Sequence, residues 1–219
     1  MTGRPARTWC AGLALALAGL AGAGCGSSAP AAGTTTTTAP LPPLRSMLLS
    51  LADMPAGWTA VRDTGNTGNL TGCAFHKLVQ GALAKASAVF QGPSGFPEWR
   101  EELDAVGPGV AQRALSGAIT QLDQCHSLQI PISAGHTVTV AVDPITVPQV
   151  GAQSGAWSLA GSYQGVTFTF YVMLARFDAV GGTFLYGVLG SAGKAQFAAL
   201  TARAGAKVES TLGSVGTTG

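Results

Sequence analysis

The stretch Gly165-Val-Thr-Phe-Thr-Phe-Tyr-Val-Met-Leu-Ala-Arg-Phe177 is the strongest indication of the fold of this chain, because its large side chains alternate along it. One face is predicted to carry Val166, Phe168, Phe170, Val172 and Leu174, and the other Thr167, Thr169, Tyr171 and Met173. A period of two residues is typical of a β-strand. Ala156–Tyr163 before this stretch and Thr183–Leu189 after it are predicted strands joined to it by glycine-containing turns. Such short connections predict an antiparallel meander.

The segments around this meander predict further strands and several helices. Extended segments are predicted at Trp58–Arg62, Ser87–Gln91 and His136–Val142, with loops over residues 63–72 and 143–154. Apolar residues recur at helical spacing in four segments, namely Leu44–Met54, Cys73–Ala86, Ala111–Cys125 and Lys194–Leu212. Helices grouped around an antiparallel β-meander sheet predict an α+β fold.

A further helix is predicted to begin at Pro97. Proline suits the first position of a helix, and Glu98, Glu101 and Glu102 would then lie near the positive end of the helix dipole. Because Glu101 and Glu102 are adjacent, their side chains would diverge on a helix. We therefore expect them to form a solvated face rather than a catalytic pair of carboxylates.

Residues 1–24 have the composition of a signal peptide. Arg4 and Arg7 precede an uncharged run of Ala, Leu and Gly, and small residues lead up to Cys25. A cysteine in this place resembles the lipobox of bacterial lipoproteins, which implies cleavage before Cys25 and acylation of that cysteine, for example with palmitate. The alternatives are a plain secretory signal and an uncleaved membrane helix, but the apolar run is shorter than the ~20 residues that span a bilayer.

The charge of the chain gives no sign of a nucleic-acid partner. The chain has 12 Lys and Arg against 10 Asp and Glu, and the two excess cations, Arg4 and Arg7, belong to the predicted signal. The remaining chain is formally neutral and only 10% of all residues are charged. We therefore expect neither nucleic-acid binding nor electrostatic attraction to anionic lipid, so that any membrane attachment depends on the lipid at Cys25.

Composition divides the chain into four parts. Residues 25–43 follow the predicted signal and are rich in Thr, Pro and Ala, which is typical of a disordered linker. Residues 44–212 have the length and apolar content of a single domain with its own core. Residues 213–219 are predicted to be a flexible tail.

Two of the four cysteines are predicted to form a disulfide. Cys10 leaves with the signal and Cys25 would be acylated, so that Cys73 and Cys125 form an even pair in an oxidising compartment. The alternative is a zinc site that also uses His76 and His126. Adjacent Cys125 and His126 would point in different directions, which disfavours that site. We predict no metal and no cofactor.

The order of these elements resembles the extracellular sensor domain of PknH-type actinobacterial receptor kinases and its stand-alone lipoprotein relatives. The shared features are a leading helix, a cysteine that opens the next helix, a helix that ends in a cysteine, the meander and a last helix. Val142-Asp-Pro-Ile-Thr-Val-Pro-Gln-Val-Gly151 is similar to the proline-rich loop before the central hairpin, and Val172-Met-Leu-Ala-Arg176 to an arginine-ended strand. The resemblance implies a sandwich-like α+β domain with a cleft between sheet and helices, suited to an envelope ligand.

No familiar catalytic motif occurs in the sequence, and we predict that the chain is not an enzyme. Nucleophile elbows, zinc-protease motifs, phosphate loops and dinucleotide fingerprints are absent. A Ser/His/Asp hydrolase built from the scattered histidines His76, His126 and His136 stays as a less favoured alternative.

Aromatic residues and one arginine are the candidate ligand-binding residues. They are Trp157, Tyr163, Tyr171, Arg176 and Tyr186. The aromatic side chains could line a groove for a lipid or glycan, although core packing is the more frequent role of aromatic residues in strands. Arg176 ends a strand of apolar side chains, where it is either a surface residue or an anchor for an anion.

These features predict a lipid-anchored protein on the extracytoplasmic face of the cell membrane. Its domain would bind an unidentified envelope ligand, which could be a lipid, a glycan or a peptide, without catalysis. The alternative is an interaction or scaffold lipoprotein whose partner is another envelope protein.

Overall fold

A single antiparallel sheet organises the part of the chain that the structure describes. The structure is a computed structural model and describes residues 41–63, 82–133 and 136–215, all of which belong to one compact unit, 39–219. Within these residues the strands are β1 (Thr59–Val61), β2 (Ala84–Gln91), β3 (Glu98–Ala105), β4 (Ser127–Ser133), β5 (His136–Pro144), β6 (Gln153–Tyr163), β7 (Val166–Phe177) and β8 (Val180–Leu189). The helices are α1 (Leu44–Met47), α2 (Pro108–Asp123) and α3 (Lys194–Val215).

The strand order is β1-β2-β3-β8-β7-β6-β5-β4, and every neighbouring pair is antiparallel. The predicted meander is confirmed, since β5 to β8 follow one another both in the chain and in the sheet. The long strand β7 pairs with β6 from Tyr163↔Val166 to Gln153↔Arg176. Gln164 and Gly165 both have positive φ, 50° and 80°, as a tight hairpin turn requires.

The predicted helix at Pro97 is wrong, because Glu98–Ala105 is strand β3 in the middle of the sheet. All eight of its residues pair with β2 on one side and β8 on the other. Trp99, Glu101, Leu103 and Ala105 share one buried face. The alternation of this segment is therefore that of a strand, and the expectation that Glu101 is solvated is also wrong.

The leading helix is shorter than predicted. It ends at Met47, and Leu48 has extended backbone angles, φ −69° and ψ 150°. The backbone N–H of Leu49 donates to the carboxylate of Glu101 instead of continuing the helix. A 3-10 turn follows over Leu51–Asp53. We call residues 44–54 the strap.

The helix predicted over Cys73–Ala86 is wrong at its C-terminal end, because Ala84 begins β2 and pairs with Ala105 of β3. The rest of this prediction, residues 73–81, lies outside the described residues. Strand β4 was not predicted. It forms a hairpin with β5 at an edge of the sheet, where Pro131 is tolerated since one side of an edge strand needs no hydrogen-bond donors.

Helices pack on both faces of the sheet and close two separate cores. On one face the strap and α3 cover a core that includes Trp99, Tyr171, Phe184 and Phe197. On the other face α2 covers Trp157, Val140, Leu128 and their neighbours. The predicted stripes of α2 and α3 are confirmed, and α3 continues to Val215, three residues beyond the predicted end of the domain. The α+β class is therefore confirmed.

Candidate functional site

A groove of about 430 Å³ lies between the strap and β2. Its walls are Arg45, Leu48 and Leu49 from the strap, the four consecutive residues Lys85–Ala88 from β2, and Glu102 from β3. We call it the β2 groove. Leu48 and Leu49 of the strap are buried in the core on this face of the sheet, so that the apolar wall of the groove is part of that core.

The β2 groove runs along a strand edge that no described strand occupies. Strand β1 pairs only with the last three residues of β2, Val89, Phe90 and Gln91. The preceding residues of β2, Ala84–Ala88, pair with β3 on their inner side. The outer side of Lys85–Ala88 therefore presents backbone groups to the groove, among the residues that the structure describes.

The lysine at the groove is paired with two carboxylates. The Lys85 ammonium lies 2.9 Å from a carboxylate oxygen of Glu102 and 2.9 Å from one of Asp104. Burial lowers the pKa of Lys85, but the bonds to Glu102 and Asp104 outweigh this and raise it. Burial raises the pKa of Asp104 in spite of Lys85. The positive charge of Lys85 is thus compensated by two carboxylates and is not available to bind a ligand.

Arg45 is the cation that remains available. It lies in α1 at the groove, its side chain is exposed, and it forms no ion pair with any other described residue. A guanidinium presents two parallel N–H groups that match the two oxygens of a carboxylate. The groove therefore combines one free cation, a backbone edge and an apolar wall.

A buried carboxylate fixes the strap behind the groove. Glu101 is 1% exposed and accepts a hydrogen bond from the backbone N–H of Leu49. Burial raises the pKa of Glu101 from 4.5 to about 7, although the Leu49 N–H and the charge of Lys207 act in the opposite direction. Glu101 therefore titrates near neutral pH while it holds a wall residue of the β2 groove.

The end of the strap is also fastened to α3. Asp53 forms an ion pair with Lys207 at 2.8 Å, and Arg203 donates to the backbone carbonyl of Asp53. The bond from Lys207, together with bonds from Ser50, holds the pKa of Asp53 well below its usual range. The strap is thus bound at Leu49 to the sheet and at Asp53 to α3.

The structure places the predicted aromatic binding residues in two different cores. Trp157 is buried below α2, and its indole N–H donates to Asp123 at 3.1 Å. Tyr171 and Tyr186 are buried on the opposite face, where their hydroxyls donate to the carbonyl of Ser191 and to Gln196 at 2.6 and 2.8 Å. Burial raises the pKa of Tyr186 to about 12. These three residues do not meet in one cleft and none of them lines the β2 groove.

The other two predicted residues lie apart from each other along β6 and β7. Tyr163 is exposed beside the β6–β7 turn. Arg176 is half-buried at the far end of β7, and its Nε is buried without a hydrogen-bond partner among the described residues. The structure therefore does not bring Arg176 together with the predicted aromatic residues, and the role of all five in ligand binding stays a prediction.

Only one end of the predicted disulfide lies in the described part of the chain. Cys125 is buried at the end of α2, whereas its predicted partner Cys73 lies outside the described residues, as do Cys25 and His76. The bridge and the acylation of Cys25 therefore stay predictions. Over residues 41–63, 82–133 and 136–215 there is no group of three or more His, Cys, Asp or Glu suited to a metal ion. No helix within the same ranges is long and apolar enough to cross a membrane.

Sequence reasoning missed the residues that build the β2 groove. No role is predicted for Arg45 and Lys85, which fall within two predicted helices, and Glu101 is predicted on the solvated face of a third. The period of two in Trp99, Leu103 and Ala105 could have indicated a strand with Glu101 on its buried face. No sequence pattern indicates that Arg45, Lys85 and Glu102 line one groove, because the three residues come from separate elements.

Comparisons with known proteins support the fold alone. No protein-family model matches the chain, and no curated protein matches it. The crystal structure of the extracellular domain of PknH from Mycobacterium tuberculosis is similar, with a TM-score of 0.55 and 10% sequence identity. The similarity covers 78% of this chain and 94% of that domain. The predicted resemblance is therefore confirmed at the level of the fold, while membership of that family stays a prediction.

Proposed function

We propose that this chain is an extracytoplasmic lipoprotein, anchored through Cys25, whose domain binds a ligand in the β2 groove without catalysis. The observation that carries this proposal is the groove itself, which offers a backbone edge, an apolar wall and the unpaired Arg45 side by side. Binding sites combine apolar surface with a few polar groups in this way. The absence of catalytic motifs from the sequence supports binding rather than turnover.

The sequence before the domain supports the proposed location. A basic start, an apolar run and Cys25 are followed by a linker of Thr, Pro and Ala, which would hold the domain outside the membrane. The likeness of the fold to an extracellular domain agrees with this location. A disulfide between Cys73 and Cys125 belongs to the same proposal, since such bridges persist in oxidising compartments.

Replacement of Cys25 tests the anchor. In a bacterial host that acylates lipoproteins, the full-length chain is expected to incorporate an alkyne analogue of palmitate and to sediment with membranes. Cys25→Ser should reduce the label to background and release the protein from the membrane fraction, because the acylated sulfur is lost. Cys10→Ser is the matched control and should keep the label, since Cys10 belongs to the predicted signal. Label that persists in Cys25→Ser would refute acylation at this residue.

Native mass spectrometry tests ligand binding in the β2 groove. The full-length chain, purified from its envelope in detergent, is expected to carry an additional bound mass. Ser87→Trp adds an indole at the β2 edge of the groove and should remove that mass, because Ser87 is exposed and lines it. Thr59→Trp is the control, since Thr59 is exposed on β1 outside the groove. A bound mass that both variants retain contradicts the proposal.

A further inference from the structure

We infer that the β2 groove binds an extended peptide as an added strand along Lys85–Ala88, with Arg45 holding a carboxylate of that peptide. This inference rests on the proposed function, because it names the class of ligand for the same groove. Its three supports are the strand edge, the arrangement of side chains beside that edge, and the charge of the groove.

The strand edge is the first support. Strand β2 has eight residues but β1 pairs with only three of them, so that five residues, Ala84–Ala88, keep an outer side without a described strand. Five residues of strand span about 17 Å, which is a typical length for a pairing segment. Peptides that add to such an edge gain main-chain hydrogen bonds and place alternate side chains in pockets. A lipid tail has no donors or acceptors for this edge, whereas a peptide has both at nearly every residue.

The two sides of the edge differ in polarity, which specifies a pattern for the peptide. Ala86 and Ala88 lie on the face that the strap covers, and they pack against the core that contains Leu48 and Leu49. Lys85 and Ser87 point to the opposite face and are exposed. A strand added here would alternate in the same way, because side chains of paired strands align across a sheet. We therefore expect apolar residues at every second position of the peptide.

The charge of the groove is the third support. Lys85 forms ion pairs with Glu102 and Asp104, both at 2.9 Å, so that its positive charge is already compensated and it does not attract a further anion. Arg45 has no ionic partner among the described residues and stands at the same groove. A carboxylate is the complement of its guanidinium. The peptide could supply it as an acidic side chain or as its own C-terminus.

A synthetic peptide library tests the inference on the full-length chain in detergent. One half of the library consists of heptapeptides with an amidated C-terminus, so that their only fixed carboxylate is the side chain of a final Asp. Every second position before that Asp is Thr or Val, and the positions between them are randomised. The other half has a free C-terminal carboxylate and no acidic side chain. Selected peptides are identified by mass spectrometry, and the binding of the best one is measured by fluorescence anisotropy. The two halves distinguish the two sources of the carboxylate.

Two substitutions and one chemical change in the peptide give the expected results. Arg45→Glu should weaken binding by about tenfold or more, the effect of losing a charge-assisted hydrogen bond. Arg113→Glu, at an exposed position of α2 outside the groove, should change it by less than about twofold. N-methylation of the alternate amides that face β2 should weaken binding by about tenfold, whereas methylation of the other alternate amides should have little effect.

The outcomes separate this inference from the proposed function. If no peptide is selected, or if both methylated sets bind equally well, strand addition is overturned. Equal effects of Arg45→Glu and Arg113→Glu overturn the role of Arg45. A lipid or glycan identified as the bound mass in the native spectra, with no peptide selected, overturns the inference but leaves ligand binding in the groove intact. With neither a bound mass nor a selected peptide, both fall.

Discussion

Gly151→Ala is expected to lower the free energy of unfolding by about 3 kcal/mol or more. Gly151 has a φ of +66°, where a side chain is strained by roughly 1–2 kcal/mol. A Cβ at this position would also lie 2.4 Å from the backbone carbonyl oxygen of Arg176. That oxygen already accepts the N–H of Ala152 at 2.8 Å and cannot move away without breaking this hydrogen bond. The change should be measured by urea unfolding in the Cys25→Ser background.

Gly165→Ala is the matched control for this effect. Gly165 also has a positive φ, +80°, but no atom lies within 4 Å of the position that its Cβ would occupy. Its substitution therefore adds backbone strain without a clash, and the expected loss is about 1 kcal/mol. Equal losses for the two variants would show that the close approach at Arg176 does not matter. The larger loss at Gly151 matters for the fold because the neighbouring Val150 fills the core under α3.

Glu101→Gln is expected to remove a pH dependence of stability that amounts to about 3 kcal/mol. Burial raises the pKa of Glu101 to about 7 in the folded chain, whereas the ordinary value of 4.5 holds in the unfolded chain. Between pH 4.5 and 7 the folded chain therefore binds the proton that the unfolded chain has lost, and its stability falls as the pH rises. Below pH 4.5 and above pH 7 this contribution no longer changes with pH.

The experiment for Glu101 compares unfolding free energies at pH 4 and pH 8. From pH 4 to pH 8 the free energy of unfolding of Glu101→Gln should rise by about 3 kcal/mol relative to that of the parent chain. Glutamine keeps an acceptor for the Leu49 N–H, so that the strap stays in place. Glu102→Gln, which removes a partner of Lys85 at the surface, should cost less than about 1 kcal/mol. If the free energies of unfolding of Glu101→Gln and the parent chain change equally between pH 4 and pH 8, the raised pKa of Glu101 is contradicted.

The titration of Glu101 matters for the proposed function because of what its carboxylate holds. Leu49 is bound to Glu101 and forms a wall of the β2 groove. The charges of Lys207 and Asp53 act on Glu101, and these two residues pair with each other, which fastens the same strap to α3. Arg203 adds a bond to the backbone carbonyl of Asp53. The stability measurement thus reports on the element that shapes one side of the groove, independently of any ligand.

Elements with a uniform period of apolar residues are predictable from the sequence alone. Strand β5 alternates buried and exposed residues, β7 alternates large side chains between its two faces, and α2 and α3 carry apolar stripes at helical spacing. Short turns between consecutive strands indicate that each strand pairs with the next one in the chain. The α+β class followed from these elements, because each has an apolar face that needs a partner of matching geometry.

The region from β2 to β3 and the site beside it depend instead on contacts between residues that are distant in the chain. Glu101 interrupts the apolar series of Trp99, Leu103 and Ala105, and the Leu49 N–H donated from 52 residues away offsets part of the cost of burying this carboxylate. The same bond ends α1 at Met47 in place of the longer predicted helix. Strand β3 pairs with β8, which lies far from it in the chain. Arg45 likewise lines one groove with Lys85 and Glu102, although it comes from a distant segment. Local propensity contains no information about such contacts, since their free energy arises only when the whole sheet is formed.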